Sequence, residues 1–99
     1  MLVVTGVTQV DPKDAAAARA AQARVAAITR TEDGCHTYAF YEDVEVPGRF
    51  RVYEEWRDDD ALQAHLAADH IAEFRAAVGK LTVLSREIKK MKGCASEPL

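Results

Sequence analysis

The chain is short of cysteine, of basic charge and of long apolar runs, and each shortage removes a class of function. Only Cys35 and Cys94 are present. They lie far apart and form no CxxC pair, so neither a disulfide scaffold nor a cysteine-rich metal site is expected, and both are read as free thiols. Lys and Arg number 13 against 16 Asp and Glu, for a formal net charge of −3. The charges are mixed, with no basic stripe and no aromatics interleaved among cations, so no nucleic-acid partner is expected. The short Lys89-Lys90-Met91-Lys92 cluster reads as a solvated strand end. No apolar stretch approaches membrane-spanning length. Met1 to Gly6 has no basic segment of the kind that opens a signal peptide. The expectation is a cytoplasmic protein with no membrane partner. Only 3 Pro and 5 Gly occur, and there is no low-complexity linker, so 99 residues make one small domain. It is placed at 1–92, with 93–99 as a C-terminal tail.

Hydrophobic residues make up 48% of the chain, but many are Ala, which buries little area. Such a chain gains from a partner subunit that covers a leftover face.

Leu2 to Val10 is rich in Val and Thr and suits a strand. Asp11-Pro12-Lys13-Asp14 is a helix start: Asp11 caps, Pro12 takes the first position and Asp14 complements the dipole. Ala15 to about Thr29 should be helical, with Ala18, Ala21, Val25 and Ile28 on one face. Glu32-Asp33-Gly34 is a turn signal. Cys35 to Glu42 alternates as a strand, with His36, Tyr38 and Phe40 pointing one way and Cys35, Thr37, Ala39 and Tyr41 the other. Pro47-Gly48 marks a hairpin loop before the strand Arg49 to Trp56. Asp58 caps a second helix that carries Leu62, His65 and Leu66 inward, breaks near Ala68-Asp69, and continues with Ile71, Phe74 and Val78 to Gly79. Leu81 to about Met91 is the last strand. The order β-α-β-β-α-β is the α+β, ferredoxin-like arrangement: a four-stranded antiparallel sheet with its helices on one face.

Face parity then divides the chemistry. Phe50, Val52, Glu54 and Trp56 should meet the helices. A buried carboxylate is costly unless it is paired, and Tyr38, His36 and His65 are its candidate partners. The opposite face, with Thr37, Ala39, Tyr41, Arg51, Tyr53 and Glu55, has nothing in the chain to cover it. It is amphipathic and interface-like, so two sheets are expected to pack face to face in a symmetric homodimer. His70 lies five positions after His65, about 140° round a continuous helix. The two imidazoles therefore do not converge on a metal unless the helix breaks between them, and no metal site is expected.

The segment Arg49-Phe50-Arg51-Val52-Tyr53-Glu54-Glu55-Trp56, followed by Arg57-Asp58, Ala61 to Leu66, His70 and Phe74, resembles the antibiotic biosynthesis monooxygenase family, and in particular its small quinol-monooxygenase-like members. Glu32-Asp33-Gly34-Cys35-His36-Thr37-Tyr38 is similar to that family's entry to its second strand. The resemblance covers nearly the whole chain. It implies a dimeric α/β barrel with a pocket between sheet and helices. It also implies oxidation of a quinol or polyphenolic aromatic by molecular oxygen, with no metal, flavin or haem. In that chemistry the protein deprotonates a phenol, excludes water and holds the ring. The implied catalytic residues are His65 as base, Glu54 to orient an imidazole or hydroxyl, and Tyr38. Trp56, Phe40, Phe74, His36 and His70 would surround a small aromatic substrate. The family's haem-degrading branch needs an Asn on the first strand and a late helical His, and this chain has neither. Two other readings use the same scaffold: a non-catalytic dimeric small-ligand-binding protein, or an isomerase of a small hydroxylated or phosphorylated metabolite.

Overall fold

A computed structural model describes residues 1–99. Four strands, β1 (Leu2–Val10), β2 (Cys35–Glu42), β3 (Arg49–Trp56) and β4 (Val83–Met91), form one sheet in the order β2-β3-β1-β4. Every pairing is antiparallel. Helices α1 (Ala15–Thr29), α2 (Asp59–Leu66) and α3 (Asp69–Val78) complete the expected ferredoxin-like fold.

The capping chemistry accounts for the helix starts. Asp11 accepts from the Lys13 amide and begins a single 3₁₀ turn, Pro12–Asp14, that leads into α1. Asp14 does not cap α1; its carboxylate instead accepts from the Thr82 amide at 2.8 Å. That bond, with Asp11 N donating to Thr82 O, fixes the segment before β4, so the last strand starts at Val83 rather than Leu81. Asp58 caps α2 by accepting from the Ala61 amide at 2.9 Å.

The parity of β3 holds: Phe50, Val52, Glu54 and Trp56 are all buried on the helix side. The parity of β2 fails at its start. Cys35 pairs with Trp56 but Thr37 pairs with Glu55, so His36 is the extra residue of a bulge. Cys35 consequently packs on the core and His36 is exposed, the reverse of strict alternation.

Beyond the Cys35, Trp56, Leu2 row at its end, register sets three rows across the helix side of the sheet. The first runs Tyr38, Glu54, Val4, Lys90; the second Phe40, Val52, Gly6, Ile88; the third Phe50, Thr8, Arg86. Gly6 has a steric reason. A Cβ there would fall 2.2 Å from Glu87 O and 2.4 Å from Ile88 Cα. Without it, β4 curls in against β1. Helix α1 packs against β2 and α3, so the β1–β4 half of the sheet is left beneath a space. No helix is long and apolar enough to cross a membrane.

Candidate active site

The sheet rows form the floor of that space, and Leu62, His65, Ile71 and Phe74 hang from α2 and α3 as its roof. The cavity has a volume of about 360 Å³, within the range of small-molecule sites. Its walls are mostly apolar, with Glu54 and His65 among the few polar groups set in them. Arg75, Arg86, Lys89 and Lys90 also line it, and Lys90 is tied to Asp59 at 2.9 Å.

Glu54 is 6% exposed. Its partner is none of the three groups the sequence suggested. The Trp56 indole donates to Glu54 Oε1 at 2.9 Å, reaching back over one residue of the same strand face. One donor does not offset burial. Desolvation, reinforced by the nearby Glu32 charge and opposed by the indole, pushes the carboxyl up to about 7. Trp56 itself is fully enclosed and does not line the cavity. Its aromatic contacts are with Tyr38, edge-on at 6.4 Å, and with His65 at 4.8 Å between centroids. It supports the site from behind rather than facing a ligand.

His65 is 2% exposed and pairs with a residue that sequence reasoning treated only as a turn. Its Nδ1 lies 2.6 Å from Glu32 Oε2. Burial lowers the imidazole's pKa and the Glu32 carboxylate opposes that shift. Neutral His65 with its proton on Nδ1 donates to Glu32, and Nε2 is then the lone-pair nitrogen of a ring that lines the cavity.

Glu32 is held in place by the turn itself. Its carbonyl accepts from Cys35 N at 3.2 Å, and Arg57 N donates to Gly34 O at 2.8 Å. Gly34 has φ +83, and a Cβ there would meet Ala61 Cβ at 2.6 Å. Only glycine both turns the chain and lets it lie on the start of α2. The signal that could have found Glu32 is topological. β2 begins beside the end of β3, so the turn before β2 must sit next to the helix that follows β3.

The helix break also corrects the expectation for His70. Ala68 is extended (φ −75, ψ 151) between α2 and α3. The 140° separation therefore does not apply, and His70 Nε2 reaches the same Glu32 Oε2 at 3.1 Å. Two imidazoles thus share one carboxylate oxygen. His70 faces α1 and does not line the main cavity.

Of the residues singled out from sequence, His65, Glu54, Tyr38, Phe40 and Phe74 line one cavity. Trp56 lies behind it, His70 beside it, and His36 is exposed on the bulge. Tyr38 is buried and packs edge-on against Phe40 at 5.6 Å. Burial, and then the charges of Glu54 and Glu32, raise its hydroxyl pKa, so the hydroxyl stays protonated at neutral pH.

Residues 1–77 match the family model for antibiotic biosynthesis monooxygenase. The chain belongs to that family. It is 40% identical over 53 residues to Rv0793 of Mycobacterium tuberculosis, a protein named as a candidate monooxygenase; the match covers 54% of this chain and 52% of that protein. The chain spans about half the length of the curated relatives it matches. The solved structure of Rv0793 superposes with a TM-score of 0.87 at 27% identity, over 98% of each chain. A Deinococcus radiodurans family member superposes with a TM-score of 0.92 at 28% identity, covering 100% of this chain and 98% of its own. This family membership supports a monooxygenase reading at the level of reaction class.

Proposed function

We propose that this chain is a cofactor-independent monooxygenase that oxidises a quinol or polyphenolic aromatic with molecular oxygen. The observation that carries the reading is one mostly apolar cavity holding the buried His65 imidazole and the buried Glu54 carboxyl, with Tyr38, Phe40 and Phe74 as aromatic walls. His65 Nε2 takes the proton of a substrate hydroxyl, and Glu32 stabilises the imidazolium that forms. The electron-rich phenolate then reduces oxygen, which adds to the ring as a peroxide. Glu54, which holds its proton up to about pH 7, supplies the acid as water departs. The stoichiometry closes without another reductant: a quinol and one O₂ give a hydroxyquinone and one water. The mostly apolar walls limit the water that reaches the reactive intermediate.

The open face of the sheet, with Tyr41 60% exposed, is the surface through which a second copy would pack. Light scattering on the purified chain tests that partner; a monomer at working concentrations would remove it.

Oxygen uptake with a quinol panel in metal-free buffer tests the activity. Uptake should scale with protein and fall in His65→Ala. Turnover that persists without oxygen would instead favour isomerisation by the same His65 and Glu54. Saturable binding with no turnover would favour a ligand-binding role.

A further inference from the structure

We infer that Glu32, His65 and His70 form a binding site for one transition-metal dication of the zinc or cobalt class, and that filling it disables His65 as a base. The second half rests on the monooxygenase reading; the first half does not. The three candidate ligand atoms, one from each residue, all lie within 4.8 Å of one another. Glu32 Oε2 is already 2.6 Å from His65 Nδ1 and 3.1 Å from His70 Nε2. Zinc bonds of about 2.0–2.2 Å place neighbouring ligand atoms roughly 3.3 Å apart in a tetrahedron. The His65–Glu32 pair must therefore open by about 0.7 Å, and the two imidazole nitrogens, within 4.8 Å of each other, must close by up to about 1.5 Å, which takes side-chain rotation of His70 as well as Glu32.

The ligand chemistry selects the ion. Two imidazole nitrogens and one carboxylate oxygen suit zinc or cobalt rather than calcium or magnesium, which take oxygen ligands. Two histidines and one glutamate leave a fourth position for water. Entry does not require the substrate cavity. His70 lines a separate cleft between α1 and α3, and the His70 and Glu32 side chains are 14% and 17% exposed.

The consequence for His65 follows from its ring. Its two nitrogens share one proton in the neutral form. A metal at Nδ1 drives that proton to Nε2, the nitrogen that would accept from substrate. No lone pair then remains, and the base is lost without blocking the cavity.

The test is titration of the chelator-stripped chain with Zn²⁺ by calorimetry and with Co²⁺ by visible absorption. One ion per chain is expected. Glu32→Gln and His70→Ala should each weaken binding by more than about tenfold, the scale seen even for residues that only support metal ligands. His36→Ala and Cys94→Ser should not change it. Imidazole NMR of the unmodified chain guards against variants that misfold: zinc should perturb His65 and His70 and spare His36. Absence of saturable binding, or binding unchanged in both ligand variants, overturns the site. Oxygen uptake should fall in parallel with zinc occupancy and return on chelation. Zinc that binds there and leaves uptake intact overturns the inhibition and keeps the site. A metal-free chain with no uptake on any quinol counts against the monooxygenase reading and leaves the binding result standing.

Discussion

Glu54 and Glu55 are neighbours on β3, and they lead opposite lives. Glu54 points to the helices, is nearly sealed from water and receives one hydrogen bond, from Trp56. Its pKa rises to about 7. Glu55 points to the open face and accepts from Thr37 Oγ1 and Tyr53 OH, each at 2.8 Å. Those two hydroxyls lower its pKa. The residue type is the same and the backbone is continuous. Water access and donor number, with a smaller contribution from neighbouring charges, separate a carboxyl that keeps its proton near neutrality from one that gives it up readily. A strand can thus present an acid to one face and an anion to the other within a single peptide step.

The largest expected break in that contrast is catalytic. On the helix side, His65→Ala should lower the rate of oxygen uptake by about 10²–10⁴-fold, the usual scale of general base catalysis. Glu55→Gln on the other face should leave it within error. Stability against pH comes next. The folded-state pKa of Glu54 is raised from 4.5 to about 7. Folding therefore favours the protonated form, carries no cost from this group below about pH 4.5, and loses stability as pH rises through 7. The full cost above that range is about 3 kcal/mol. Denaturant melts of Glu54→Gln should show a gain of that order at pH 8 and almost none at pH 4. Equal gains at both pH values would mean the carboxyl is not perturbed. Trp56→Phe removes the one donor to Glu54. It should cost about 1–3 kcal/mol for the stranded buried group and raise the Glu54 pKa further, as carboxyl NMR titration would show. Thr37→Val is the smallest change, at most about 1 kcal/mol because the pair is only partly buried. It should move the Glu55 pKa upward toward its ordinary value.

The β3 contrast was readable from alternation alone, as was the Asp58 cap that aims His65 inward. Both are local: one depends on a period of two, the other on a side chain three residues from the amide it caps. What stayed hidden depends on contacts between distant segments. Glu32 is 33 residues from its partner His65, and nothing in an acidic turn distinguishes a buried histidine's partner from a solvated residue. The bulge at His36 inserts no glycine or proline that would mark it. The choice of Trp56 over Tyr38 as partner to Glu54 depends on how the indole folds back along its own strand, a rotamer decision that spacing does not encode. The break between α2 and α3 was anticipated near its true place, but its effect on His70 required the backbone angle at Ala68.

That break gives this architecture an unusual route to change. One extended residue decides whether His70 meets Glu32. Inserting a single alanine there, or mending the helix, would swing the following helical residues by about 100° per position. The sheet, the cavity floor and His65 would remain. The same swing would turn Ile71 and Phe74 off the cavity they roof, so the His70–Glu32 contact and the roof are set together by this one connection. Packing and chemistry are therefore coupled at Ala68, where one extended residue aims both the core-facing Ile71 and the Glu32-facing His70.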